Sequence, residues 1–414
     1  MSSGARDLLI PLIDGTVRSG SDAGILMLTA DDVEQRGRFV CVGSARLLNF
    51  ATCGYLGLAQ RDELKDAAIA AIRRYGTQFS VSRQLLQLPL YESLEKVLGA
   101  ITGGHVLVAP TTTLAHQAAL PVLVRARDAV ILDRFAHASL HVAVGLLGKT
   151  RLVYVEHGDL DSLERHIGQL SERYERVFYV FDGLYSMHGD FAPLGRIAAL
   201  RDAHPKLYLY IDDAHSTSWT GMHGRGRAID QLSDRSRVVV VLSLNKAFGA
   251  AGAAIVFESS DDRDLVRRCG GPLTFSGPIQ PAMLGAAVAS GKLHLRSDFA
   301  DLQRQLLERI LLTTEVAAQL GVPLANVDRT PIFFVPCHPK QELRRLMRSL
   351  VDSGILACPG AFPIVPMGAE GVRFTVSLHN TADDIMQLIE TLARLMVRGS
   401  ADPVESANTS PTLC

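Results

Sequence analysis

Short apolar runs separated by helical stretches fill the middle of the chain, and few architectures accommodate that alternation. His105 to Ala109, Asp128 to Leu132, Arg151 to Val155, Val177 to Phe181, Leu207 to Ile211 and Val238 to Val241 each have the length of a strand. This is the βαβ rhythm of a mostly parallel sheet covered by helices, an α/β fold. Val238 to Val241 is the most strand-like run, because β-branched side chains suit a strand buried on both faces. In an open sheet of this kind the ligand crevice lies beyond the carboxyl ends of the strands, so the residues that follow these runs carry the chemistry.

Three of those exits are unusual. VFYVF stops at Asp182, Gly183, Leu184, Tyr185 and Ser186, and LYLYI stops at Asp212, Asp213, Ala214 and His215. VVVVLSLNKAFGAAGAAI delivers Lys246 into a loop of small residues before a second apolar strand at Ala253 to Phe257. Alone, Lys246 reads as a solvated loop lysine, as most lysines are. Beside an acid at one strand end and an acid with a histidine at another, it reads as an amine of lowered pKa that forms a Schiff base with an aldehyde cofactor. Pyridoxal 5'-phosphate needs such a set. A buried aspartate keeps its ring nitrogen protonated, an amine meets its aldehyde, a flat group covers its ring, and donors at a helix start hold its phosphate. Asp212 and Asp213 cannot both reach the ring nitrogen, since neighbours on a strand point in opposite directions.

The strings DGLYSMHGDFAPL (from Asp182), IDDAHSTSWTGMHGRGR (from Ile211) and SLNKAFGAAGAAIV (from Ser243) closely resemble the α-oxoamine synthases. That group includes 8-amino-7-oxononanoate synthase, 5-aminolevulinate synthase and serine palmitoyltransferase. The resemblance runs from about Leu48 to the RFTVSLHNTADDI stretch that starts at Arg373. It implies a fold-type I pyridoxal-phosphate transferase, with a large domain and a smaller C-terminal α+β domain. It also implies decarboxylative condensation of a small amino acid with an acyl thioester, on coenzyme A or a carrier protein, to an α-aminoketone. A homodimer with shared active sites is implied as well.

Residue by residue, the resemblance assigns Lys246 to the Schiff base, Asp212 to the ring nitrogen and His137 to a place flat against the ring. His215 and Ser186 fall near the phenolic oxygen, Ser243 near phosphate, and Ser276, in TFSGP, near the neighbouring subunit's phosphate. Arg373 is assigned to the amino-acid carboxylate. Plainer readings stand beside these: a satisfied buried histidine for His137, a structural strand-end serine for Ser243, a capping acid for Asp213, an ion pair for Arg373. His137 and His141, four apart, also have the spacing of a metal pair, but no third ligand lies nearby and no metal is expected. The phosphate is expected at the start of the helix after His105 to Ala109. There Thr111, Thr112 and Thr113 replace the family's serine, glycine and aromatic. Cys53 stands where several members have asparagine near the amino acid, and Tyr91 where histidine is common. These departures point to an unusual acyl donor. An aminotransferase or aldolase on the same scaffold, or a non-catalytic binding subunit, are the alternatives.

A chain of 414 residues exceeds one ordinary core. The expected division is an N-terminal segment (1–46) without clear periodicity, a large cofactor-binding domain (47–292), a small domain (293–398) and a disordered tail (399–414). Leu293 to Gly321 reads as one long amphipathic stretch. A net charge of -1 argues against nucleic acid as a partner, and no apolar run nears the ~20 residues that span a bilayer. Six scattered cysteines without a CxxC pair suit a cytoplasmic enzyme.

Overall fold

The computed structural model describes residues 3–326, 328–337 and 340–401. Helix α1 (Ser3–Asp22) leads to strands β1 (Phe39–Val42) and β2 (Ala45–Asn49), then to helices α2 (Asp62–Tyr75) and α3 (Pro89–Thr102). The α/β body follows as β3 (His105–Ala109), α4 (Thr112–Leu123), β4 (Ala129–Asp133), α5 (Ala138–Gly145), β5 (Arg151–Val155), α6 (Leu160–Ser171) and β6 (Val177–Asp182). It continues through α7 (Leu194–Ala203), β7 (Leu207–Asp212), α8 (Arg227–Gln231), β8 (Val238–Ser243) and β9 (Ala253–Phe257). Helices α9 (Ser260–Cys269), α10 (Gly271–Phe275), α11 (Pro281–His294) and α12 (Phe299–Gln319) carry the chain to β10 (Ile332–Pro336) and α13 (Lys340–Asp352). The last elements are β11 (Ile355–Leu356), β12 (Cys358–Gly360), β13 (Gly371–Thr375) and α14 (Ala382–Ala401).

The large sheet has the order β3-β9-β8-β7-β6-β4-β5, with only β9 running against the rest. Strand alternation divides its side chains between two cores. Phe178, Val180, Tyr210 and Val241 pack with the alanines and leucines of α4 and α5, while Tyr179, Phe181, Leu209, Ile211 and Val240 pack with α3, α6 and α7. Each fully buried Val, Leu, Ile or Phe contributes about 1.5–3 kcal/mol, so this double-faced burial holds the strand ends rigidly in place.

The smaller unit draws on both ends of the chain. β10, β13 and β12 form one three-stranded sheet, and β2 sits between β1 and β11 in another. Arg38 grips Asp384 of α14 through two nitrogens, at 2.9 and 2.8 Å. The Thr375 and Leu378 amides donate to the carbonyls of Phe50 and Tyr55, so the segment around Cys53 is stitched to the strand that carries Arg373.

Two sequence expectations differ from this. Residues 3–22 form a helix although Pro11, Gly15 and Gly20 obscure its period. The stretch from Leu293 breaks between His294 and Phe299, where Arg296 turns back onto Asp298 (3.0 and 2.7 Å) and the His294 ring is stacked between Phe248 and Phe299. Of the expected tail, α14 extends to Ala401, and residues 402–414 lie outside the described residues. No helix among the described residues is long and apolar enough to cross a membrane.

Candidate active site

The parallel strands end level. Asp182 lies opposite Asp212 in the β6–β7 register, and Asp212 lies opposite Val241 of β8. β3 reaches the same edge, since it is antiparallel to β9 and β9 is antiparallel to β8. The start of α4 therefore opens on the crevice that holds both acids.

Two buried carboxylates side by side cannot both hold full charge. Burial, then the charge of Asp212, push the Asp182 carboxyl well above its ordinary range. Burial would raise Asp212 too, but the His116 ring, Lys246 and His137 outweigh it and hold that carboxyl well below its ordinary range. Asp212 is thus the charged member. It accepts the Ala214 amide on Oδ1 (3.0 Å) and His116 Nε2–H on Oδ2 (2.9 Å). Asp182 accepts the His137 amide on Oδ1 at 3.0 Å. Asp213 points away and caps α8 through the Ala228 amide (2.9 Å), and burial raises its carboxyl to about 7.

Lys246 follows β8 in a loop closed by its own backbone. The Leu244 amide donates to the Gly252 carbonyl, the Gly249 amide to that of Lys246, and the Gly252 amide to the Asn245 side chain. Gly249 (φ +77°) sits where a Cβ would lie 2.7 Å from the Ala59 nitrogen, so only glycine lets the loop pack so closely there. The half-buried Lys246 amine has no hydrogen bond or ion pair among the described residues. Burial lowers its pKa, while Asp212, Cys53 and Asp182 act in the other direction.

His137 is the N-cap of α5, with Nδ1 toward the Ser139 hydroxyl (2.7 Å) and its ring side open. Burial lowers its pKa, helped by Lys246, His116 and His141 and opposed by Asp212. His141 belongs elsewhere, stacked on Tyr154. His215 is buried, its Nδ1 2.8 Å from the Tyr55 hydroxyl, and burial with the charges of Lys246 and Arg373 holds it neutral. Sequence reasoning missed Tyr55 and His116. Tyr55 lies in LNFATCGYLGL, the stretch from Leu48 where the resemblance begins, and His116 was the lone titratable group in the apolar run of α4.

Thr112 and Thr113 are the first residues of α4, and the Thr111 hydroxyl caps it by accepting the Leu114 amide (3.1 Å). Amides at a helix start face an incoming anion. Ser243 is buried at the end of β8, its hydroxyl accepting the Asn245 amide at 3.2 Å. Ser276 stands apart, its hydroxyl donating to the Gly277 carbonyl, beside Phe275, which is 90% exposed.

Arg373 is buried on β13, with Nε–H donated to the Ser186 carbonyl at 2.6 Å. No carboxylate bonds it among the described residues; Tyr55, Cys53 and Cys358 are the groups that act on it. A buried guanidinium without a carboxylate partner would be favoured by an anion beside it. Cys53 therefore belongs to the surroundings of Arg373 and Lys246. Tyr91 does not join them. It is buried in α3 beneath Arg83 (4.2 Å), and its hydroxyl accepts the Ile279 amide at 2.8 Å, so its polar atom is occupied within the chain. Tyr91, expected to bear on the acyl donor, makes these contacts beneath Arg83 and the 278–281 loop.

The donor set fits pyridoxal phosphate: an amine unpaired among the described residues, a charged buried carboxylate, an exposed imidazole and helix-start amides meet at one edge, beside a guanidinium that no carboxylate among them bonds.

A model of the aminotransferase class I and II family matches residues 45–392. The 8-amino-7-oxononanoate synthase of Fervidobacterium nodosum is 30% identical over 356 residues, covering 84% of this chain and 88% of that one. That of Petrotoga mobilis is 29% identical over 368 residues, covering 88% and 92%. Among solved structures, serine palmitoyltransferase of S. paucimobilis with a bound PLP-myriocin aldimine superposes with a TM-score of 0.87 at 20% identity, covering 94% and 98%. That of Sphingomonas wittichii gives 0.86 at 21% identity, covering 95% and 98%.

Proposed function

The chain belongs to the aminotransferase class I and II family, within its α-oxoamine synthase group, and from that premise we propose how the cleft around Lys246 works. The protein is a pyridoxal-phosphate-dependent acyltransferase that condenses an amino acid with an acyl thioester and releases carbon dioxide and the thiol. The bound cofactor supplies an aldehyde that takes the amino group and a protonated ring that draws electrons from the substrate carbon.

The chain's own residues do the rest. Lys246 holds the cofactor, and once displaced its Nζ takes the α-proton of the amino acid. Asp212 holds the proton on the ring nitrogen by Coulomb attraction. His137 covers the ring face, while the Thr112 and Thr113 amides with Ser243 hold the phosphate. His215, kept in place by Tyr55, and Ser186 attend the phenolic oxygen. Arg373 takes the amino-acid carboxylate with its two terminal nitrogens, and Cys53 lines that end of the cleft. A small amino acid such as glycine, alanine or serine is the substrate class.

The protein works as a homodimer in the cytoplasm. Phe275, Val81 and Leu85, exposed by 90%, 79% and 76%, support a partner surface around Ser276. Free thiols at Cys41, Cys53, Cys269, Cys337 and Cys358 support a reducing compartment. The division into a large domain at 47–292 and a small one at 293–398 is retained with one modification: β1 and β2 pair with β11 and belong to the small unit.

The observation that carries the function is the meeting of an unpaired lysine, a charged aspartate and an anion-free arginine at one sheet edge. The test supplies each small amino acid with a panel of coenzyme A and carrier-protein thioesters and measures carbon dioxide and free thiol. Both should appear in equal amounts, and only when both substrates are present. Lys246→Ala should lose this turnover and the covalent adduct that borohydride traps. Pyridoxamine phosphate formed from amino acid alone would replace this reading with an aminotransferase.

A further inference from the structure

Asp182 and Asp212 pose a problem that the family chemistry leaves open. They are register partners on adjacent strands, both buried, and each accepts one backbone amide from a turn at the strand ends: that of His137, after β4, to Asp182 at 3.0 Å, and that of Ala214, after β7, to Asp212 at 3.0 Å. On those contacts alone either could carry the charge, yet a protonated Asp212 would leave the cofactor nitrogen without its counter-charge. What breaks the tie is His116. Its side chain is fully buried, and both ring nitrogens are engaged: Nε2 at 2.9 Å from Asp212 Oδ2, and Nδ1 at 3.1 Å from the Tyr210 hydroxyl.

The geometry follows from two periodicities. Tyr210 and Asp212, two apart on β7, face the same side of the sheet, the side on which α4 packs. His116 is the fifth residue of α4, which places it one turn below the helix start at Thr112. One rigid helix therefore presents amides at its tip and a side-chain donor to Asp212 one turn down. A buried histidine is costly unless both nitrogens are bonded, and a leucine there would serve packing alone at less cost.

We propose that His116 is a positioning residue that selects Asp212, rather than Asp182, as the charged acid. The Tyr210 hydroxyl donates to Nδ1, which fixes the proton on Nε2. That N–H then holds Oδ2 and fixes the plane of the carboxylate, leaving its remaining lone pairs for the cofactor ring nitrogen. The inference rests on the functional reading above, because it needs a ring nitrogen to serve.

Hydrogen bonds to charged groups are strong enough that losing one changes binding by roughly 10- to 100-fold. Three readouts test the role without turnover. The first is the dissociation constant of pyridoxal phosphate from the apoprotein, followed by fluorescence. The second is the 15N resonance of ring-labelled cofactor bound to the protein. The third is the 15N spectrum of histidine-labelled apoprotein, with His116 assigned by difference against His116→Gln. His116→Leu should weaken cofactor binding by roughly 10- to 100-fold and move the ring resonance toward the unprotonated position. His116→Gln keeps an N–H of similar reach without a ring and should restore binding to within about threefold of the parent. In the parent apoprotein the His116 ring should carry its proton on Nε2, toward Asp212.

A folded His116→Leu protein with the parent's affinity and ring resonance overturns the inference, and so does a proton found on Nδ1. The second result is read from the parent chain, so it stands even if the leucine variant does not fold. A parent that takes up no pyridoxal phosphate overturns the functional reading and this inference together, whereas a binding parent with an indifferent leucine variant overturns the inference alone.

Discussion

At Asp212 and Asp213 one step along the chain separates a charged carboxylate from one that titrates near neutrality. Asp212→Asn keeps the shape and removes the charge. It should leave the fold intact and slow exchange of the amino-acid α-hydrogen with solvent deuterium by roughly 10²–10³-fold, measured by proton NMR. Asp213→Asn should leave that exchange nearly unchanged and alter stability instead. Its folded pKa of about 7 lies above the ordinary 3.8, so the folded state binds the proton more tightly. The associated stability is present below about pH 4 and is lost as pH rises through about 7. Asp213→Asn should therefore raise the unfolding free energy at pH 8 by about 1–3 kcal/mol and flatten its pH dependence between 4 and 7, as urea titrations would report. The choice between these two acids was legible from strand alternation together with the family string. His116 was not, because within α4 it reads as one polar interruption of an apolar helix, and only the sheet beneath shows what its ring meets.

The turn from β4 to α5 shows how an element places His137, a side chain of the proposed site. Asp133 closes it by accepting the Phe135 amide at 2.8 Å, and the same carboxylate accepts from the Tyr185 hydroxyl at 2.8 Å. His157, just past β5, joins Asp133 (3.3 Å) to Asp190 (2.7 Å). Burial alone would lower its pKa, but hydrogen bonds to Asp133 and Asp190 raise it to about 9 from 6.5. This clamp is fully formed below pH 6.5 and should weaken as pH rises through about 9. Unfolding free energy should fall over that window by about 1–3 kcal/mol, a figure reduced for partial exposure. His157→Gln should abolish the slope, and an unchanged slope in denaturant titrations from pH 6 to 10 would refute the clamp. Elements were largely legible: His105–Ala109 and Arg151–Val155 have their expected bounds. The clamp was not, since Asp133, His157 and Asp190 come from three strand exits that only the sheet order brings together.

For the whole molecule, the unread part was the contribution of the N-terminus. β1 and β2 carry no strong period because they are short and half-buried, and they are strands chiefly because β11 completes their sheet. The apolar surface around α10 is the other large-scale feature. Phe275→Asp should convert the proposed dimer to a monomer by light scattering and weaken cofactor retention, because Ser276 would no longer face a neighbouring site. A variant that remains dimeric would move the interface elsewhere.

Arg373 belongs to the C-terminal unit, yet its Nε is tethered to the carbonyl of Ser186, which follows β6 of the large sheet. A guanidinium has two edges that can face a carboxylate side by side, and this tether occupies the one that includes Nε. Only the blunt end remains, so under the proposed function an amino acid would meet the arginine head-on, along the axis of its side chain. Under that proposal this contact between the two halves of the molecule would act as a compass, setting the line from carboxylate to α-carbon and with it which face of that carbon turns toward the lysine.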